Sequence, residues 1–252
     1  MPTAKAVTVE VYVPCGVTHP FMDTRDKFEA ANPAIRVSPR IENTNVLVQR
    51  ILDGATPDVF LALGDVEVQR LEKAGRAEAS DARPIAGNYV GLLVPAANPG
   101  KIKSLSDLGK ASSGSLCIAD PQENSSGRHL QQALEAQGVW KELQPRLVPT
   151  KFPSDVQTNV ASGKVNAGAI YGPCFMENSE KGGRPAAGQA KGKVMYLLTV
   201  PPELAGEFAL SAVLVKGAAN REAALKFVEF IAAPENRQAW EQWGFDPLPS
   251  GK

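Results

Sequence analysis

Hydrophobic and polar positions along the chain switch repeatedly between two periods. The β-branched run "VTVEVYV" (7–13) reads as a strand and stops at Pro14. Thr18 and Pro20 then open a helix that continues through "MDTRDKFEAANP", with Phe21, Arg25 and Phe28 at i, i+4 and i+7 and a stop at Asn32-Pro33. The same alternation follows: strand "IRVSPRI", helix "NTNVLVQRILDG" capped by Asn43 or Thr44 and closed by Gly54, strand "PDVFLAL", helix "DVEVQRLEKAG". Further on come strands "YVGLLVP" and "LCIADP", then a helix over "SSGRHLQQALEAQGVW" with Leu130, Ala133 and Leu134 on one face. "RLVPTKF", the short helix "SDVQTNVASG" and the strand "AGAIYG" follow. The chain closes with strand "GEFALSAVLVK" and two helices broken at Pro234.

This order predicts an α/β protein with mixed, mostly parallel sheets. Residues 82–90 and 198–208 read as links. They imply one lobe from 1–85 and 203–252, a second from 86–202, and a ligand cleft between the two. In open α/β sheets, ligands bind outside the carboxyl ends of strands, and several such ends here feed a polar turn and a helix start.

Composition narrows the function. Lys+Arg and Asp+Glu both total 27, so net charge is zero. That balance argues against nucleic acid or an anionic membrane as the main partner, because both reward a basic surface. No apolar run reaches the roughly 20 residues of a membrane span. "MPTAKAVTVEVYV" carries no hydrophobic segment with a cleavage site, so the expectation is either a cytoplasmic protein or one whose signal has been removed. Three cysteines, Cys15, Cys117 and Cys174, are too few for a disulfide framework. Cys117 lies in a strand pattern and reads as core.

The stretch "VYVPCGVTHPF" poses the chemical question. A strand, a tight turn and a helix start form a common anion site, yet this one carries a thiol. A cysteine before a helix N-terminus tends toward a depressed pKa, which would favour a soft cation over an anion. Catalysis by Cys15 would need a base. The chain has two histidines, and His19, one turn into the next helix, points away from the turn.

The segments "HPFMDTRDKFEAANPAIRV", "NVLVQRILDGATPDVFLALGD" and "RLEKAG", followed by "GLLVPAANPGKIKSLSDL", "ADPQENSSGRHLQQALEAQGVW", "VQTNVASGKVNAGAIYG" and "AALKFVEFIAAPENRQAWEQWGF", resemble in order and spacing the periplasmic solute-binding proteins of the molybdate/tungstate type. The resemblance covers nearly the whole chain. It implies a two-lobed binding-protein fold, capture of a small tetrahedral oxyanion, and delivery to the permease of a membrane ABC transporter. It also implies a periplasmic or surface-anchored location, a monomer, no cofactor and no enzymatic activity.

In that family neutral donors hold the oxyanion with little charge compensation. Carried over position by position, the resemblance places the ligand at Cys15 and Gly16, at Asn43 and Thr44, at Ser125 and Ser126 before Gly127, at a backbone N–H near Val156, and at the Tyr171 hydroxyl. Three positions depart from the pattern. The first-site serine is replaced by Cys15-Gly16, the second-site serine pair by Asn43-Thr44-Asn45, and Cys174 follows Tyr171 in "YGPCFMEN". An alternative ligand is therefore a thiophilic metal ion or metal complex held by Cys15 and Cys174, with Met176, His19 or His129 nearby. A cysteine-dependent enzyme is the second alternative.

Overall fold

The computed structural model describes residues 6–176 and 183–248. In chain order its strands and α-helices are β1 (Val7–Pro14), α1 (Thr18–Ala31), β2 (Ile35–Glu42), α2 (Thr44–Leu52), β3 (Val59–Ala62), α3 (Asp65–Lys73), β4 (Ala82–Asn88), β5 (Val90–Pro95), β6 (Leu116–Ala119), α4 (Ser125–Ala136), α5 (Trp140–Leu143), β7 (Leu147–Thr150), α6 (Pro153–Ala161), β8 (Ala167–Tyr171), β9 (Gln189–Lys191), β10 (Val194–Thr199), α7 (Pro202–Ala205), β11 (Phe208–Leu214), α8 (Arg221–Ala232) and α9 (Pro234–Glu241). The chain divides into two compact units. Unit 1 is Met1–Gly87 with Ala209–Lys252, and unit 2 is Asn88–Phe208.

Unit 1 is built on a five-stranded sheet of order β2-β1-β3-β11-β4. β1 runs parallel to β2 from Val7↔Ile35 to Pro14↔Glu42 and parallel to β3 at Tyr12↔Phe60, while β11 lies antiparallel to β3. Leu47, Val48 and Ile51 of α2 share one face and pack with Tyr12, Phe60, Leu71 and Val213. Gly54, at φ +111, turns the chain out of that helix in a conformation L side chains avoid. α1 buries Phe21 and Phe28, whose rings meet Phe227 of α8 edge-on at 6.1 and 5.1 Å. At the start of β3 the buried Asp58 carboxylate accepts from the Glu10 and Asn220 N–H groups at 2.8 and 2.9 Å, tying β1, β3 and the entry to α8 together.

Unit 2 carries a six-stranded sheet of order β7-β6-β8-β5-β10-β9. β7, β6 and β8 are parallel neighbours, whereas β8, β5, β10 and β9 pair antiparallel. The sheets are therefore mixed, with a larger antiparallel share than the alternation implied. β9 and β10 need no crossover helix, because Gly192 at φ +59 joins them by a two-residue turn, and strands joined so pair antiparallel. The core gathers Leu93, Cys117, Val156, Val160, Ile170 and Tyr196. Gly168 lets α6 close on the sheet, since a Cβ there would lie 2.4 Å from a Val156 methyl.

The structure adds detail to two sequence expectations and shortens a third. Residues 82–90, expected as a link, hold β4 and the first residue of β5, with the boundary between the two units at Gly87/Asn88. Pro84 is tolerated because β4 is an edge strand. The second expected link, 198–208, holds the end of β10, α7 and the start of β11. The helix expected over 125–140 stops at Ala136, because the chain takes φ +71 at Gly138 before α5.

Candidate functional site

In unit 1 the register puts the carboxyl ends of β1, β2 and β3 level with one another. The chain leaves β1 into a 3₁₀ turn, Cys15–Val17, which Thr18 closes by donating its hydroxyl to the Cys15 carbonyl at 2.7 Å. Cys15 and Gly16 are both half-buried there. Beside them β2 ends and α2 begins. Asn43 is the N-cap, and its side-chain oxygen accepts from the Asn45 N–H at 3.1 Å. This resolves the choice between Asn43 and Thr44, because the acceptor must stand before the first helical residue to reach the orphan N–H groups. Thr44 is that first residue. It is 3% exposed, and its hydroxyl has no hydrogen-bond partner. Asn45 is buried beside it.

In unit 2 the pairs Ala119↔Thr150 and Cys117↔Gly168 likewise level the ends of β6, β7 and β8. Asn124 caps α4, its side-chain oxygen accepting from the Ser126 N–H at 3.0 Å and the Ser126 hydroxyl at 2.6 Å. The Ser126 hydroxyl is thus committed to the cap, and the sequence reading missed Asn124. The signal was present: an Asn directly before a Ser-Ser helix start is a preferred cap residue. Ser125 and Ser126 are both fully buried. Gly127 is required by packing, since a Cβ there would lie 2.1 Å from the Ala119 carbonyl oxygen.

Val156 stands in the first half of α6, its side chain in the core and therefore unable to serve a ligand itself. Ahead of it the Asp155 N–H closes on the Phe152 carbonyl at 2.9 Å. Tyr171 is the last residue of β8, opposite Val90, and its buried ring lies 6.3 Å from that of Phe208.

The cysteines have different surroundings. Cys117 is fully buried, accepts from the Asn159 amide at 3.4 Å, and has its thiol pKa pushed up by burial. Cys174, in the 3₁₀ turn Gly172–Met176, is half-buried and packs against the unit 2 core with Met176. Its carbonyl accepts from the Gln157 amide at 3.2 Å. His129 is buried, stacked on Phe208 at 4.1 Å, with Nδ1 2.6 Å from the Ala205 carbonyl. His19 stacks on Trp243 at 4.8 Å. Among the described residues no group of three or more His, Cys, Asp and Glu side chains is placed to hold a metal ion.

Both units thus present helix starts and small polar groups at the carboxyl ends of their parallel strands. Residues 9–246 match the family model described as bacterial extracellular solute-binding protein. The chain belongs to that family. Among relatives of this solute-binding protein, an ABC transporter substrate-binding lipoprotein of Bacillus subtilis is 21% identical over 96% of this chain and 87% of its own. The molybdate-binding protein of Mycobacterium tuberculosis is 24% identical over 97% of this chain and 86% of its own. The solved periplasmic molybdate-binding protein of Azotobacter vinelandii has a TM-score of 0.71 and 19% identity, covering 96% of this chain and 100% of that one. The fold is that of the periplasmic binding proteins, and the family is one of binding proteins. No helix among the described residues is long and apolar enough to cross a membrane.

Proposed function

We propose that this solute-binding protein captures a small tetrahedral oxyanion of the molybdate or tungstate kind, outside the cytoplasm, and delivers it to an ABC importer. One ligand takes donors from both units. Unit 1 offers the Cys15-Gly16 turn and the start of α2 at Asn43 and Thr44. Unit 2 offers the start of α4 at Ser125, the α6 backbone at Val156, and the Tyr171 hydroxyl; Ser126, expected beside them, gives both its N–H and its hydroxyl to Asn124 and so shapes the turn.

The observation that carries this reading is the Thr44 hydroxyl. A buried hydroxyl without a partner costs about 1–3 kcal/mol, and a site keeps such a group when a ligand supplies the missing bond. Its place on the first residue of a nine-residue helix gives it a positive electrostatic surrounding, which suits an anion. The names of the molybdate-binding relatives agree with that charge. Binding protein, periplasmic or surface-anchored, and permease then form one transport system.

The test is calorimetry on the purified chain with molybdate, tungstate and sulfate in one arm and Zn(II) and Cu(I) in the other. One oxyanion bound per chain is the expected result. Heat with the metals and none with any oxyanion would transfer the site to the Cys15 and Cys174 thiols.

A further inference from the structure

The cap at the start of α2 is neutral where a charged one would serve the helix as well. Asn43 turns its side-chain oxygen back onto the Asn45 N–H at 3.1 Å and stands next to the buried, unpartnered Thr44 hydroxyl. Aspartate has the same shape, caps a helix as strongly, and adds a negative charge that the helix dipole favours. For the helix alone the acid is the better residue. At a helix start that receives an anion the balance reverses, because a carboxylate there cancels the positive potential and repels the ligand.

Acids are placed along the chain in the same sense. α1, α2 and α4 begin at turns that the oxyanion reading uses, and none of the three has an acidic residue in its first turn. α4 repeats the choice of α2, with Asn124 as its cap. α3, α8 and α9, which that reading does not use, carry Asp65 and Glu67, Glu222, and Glu235 there. α6 is the exception. The reading uses its backbone, and its first turn holds Asp155, whose carboxylate accepts from the Thr150 hydroxyl at 3.2 Å. Glu42, which precedes Asn43, lies outside α2 and is bound by two guanidinium groups, Arg50 at 3.1 Å and Arg40 at 3.3 Å. Its charge is met by those cations, away from Thr44.

We propose that Asn43 is a specificity-determining residue of the unit 1 half-site, selecting a negatively charged ligand by capping α2 without a charge of its own. The proposal rests on the oxyanion reading and deepens it. Thr44 supplies a bond to the anion, and Asn43 keeps the helix start positive enough to receive it.

The experiment titrates molybdate into the wild-type protein, Asn43→Asp and Asn43→Ser at low and high salt, with tungstate and sulfate as further probes. Both variants keep a preferred cap residue, so both should melt near wild type. Asn43→Asp is expected to lose about ten- to hundred-fold in molybdate affinity at low salt, because a carboxylate then faces a dianion at close range. The loss should shrink at high salt, where the repulsion is screened. Asn43→Ser, a neutral cap, is expected to lose far less. Should Asn43→Asp melt lower, salt still separates the causes: a damaged fold weakens binding alike at both salts, and charge repulsion does so chiefly at low salt. Asn43→Asp binding molybdate as wild type does, or falling no further than Asn43→Ser, or falling equally at both salts, overturns the role of Asn43 and leaves the oxyanion reading standing. A wild-type protein that binds none of the three oxyanions overturns that reading and this proposal together.

Discussion

At the scale of single residues, Thr44 sets stability against function. Thr44→Val keeps the shape of the side chain and removes the unpartnered hydroxyl. Without ligand, the variant should be more stable by about 1 kcal/mol, which for a chain of this size is roughly 2–4 °C in melting temperature. With ligand it should bind the oxyanion about ten-fold more weakly, because one hydrogen bond to a charged group is gone. Differential scanning fluorimetry and calorimetry read the two effects. A variant that melts lower and binds as before would show that the hydroxyl serves the fold. Thr44 was legible only through the family resemblance. Local pattern placed it at a helix start, but its lack of a partner depends on tertiary packing. The thiols were harder. Cys174 carries no periodicity that fixes its direction, and only the fold reveals that it leans on the unit 2 core.

Among elements, α4 shows how a helix start is held at the end of a strand. Asn124 caps it, Leu130, Ala133 and Leu134 bury its inner face, and Gly127 lets its first turn touch the carbonyl that ends β6. Gly127→Ala must push that turn away from a backbone atom, which cannot give as a flexible side chain would. The expected cost is about 1–3 kcal/mol, the range for overpacking, together with weaker oxyanion binding because Ser125 moves with the turn. An unchanged melting temperature would mean that the contact is not tight in solution. The inner face was readable from its 3.6-residue period. The close approach was not, since a Gly in a helix start looks the same whether it faces a ligand or a strand. β4 failed for a related reason: Pro84 and Gly87 look like turn residues, while Gly87 is needed where its N–H and carbonyl pair with Asp246, and a Cβ there would lie 2.5 Å from the Pro247 carbonyl oxygen.

For the whole molecule, the chain passes from unit 1 to unit 2 and back, with cuts at Gly87/Asn88 and Phe208/Ala209. Each unit has its own sheet and core, so each could respond to a ligand alone. A ligand that takes donors from both must protect both. Hydrogen exchange with and without molybdate tests this. The first-turn amides of α2 in unit 1 and of α4 in unit 2 should slow together, with the same dependence on molybdate concentration. At a hundred times the dissociation constant, mass action adds about 2.7 kcal/mol of stability to the liganded state. Protection confined to one unit would restrict the site to that unit and remove the other unit's residues from it. Equal protection in both, reduced in both to about 1.4 kcal/mol by Thr44→Val alone at the same molybdate concentration, would establish a single ligand answering to two separately folded units.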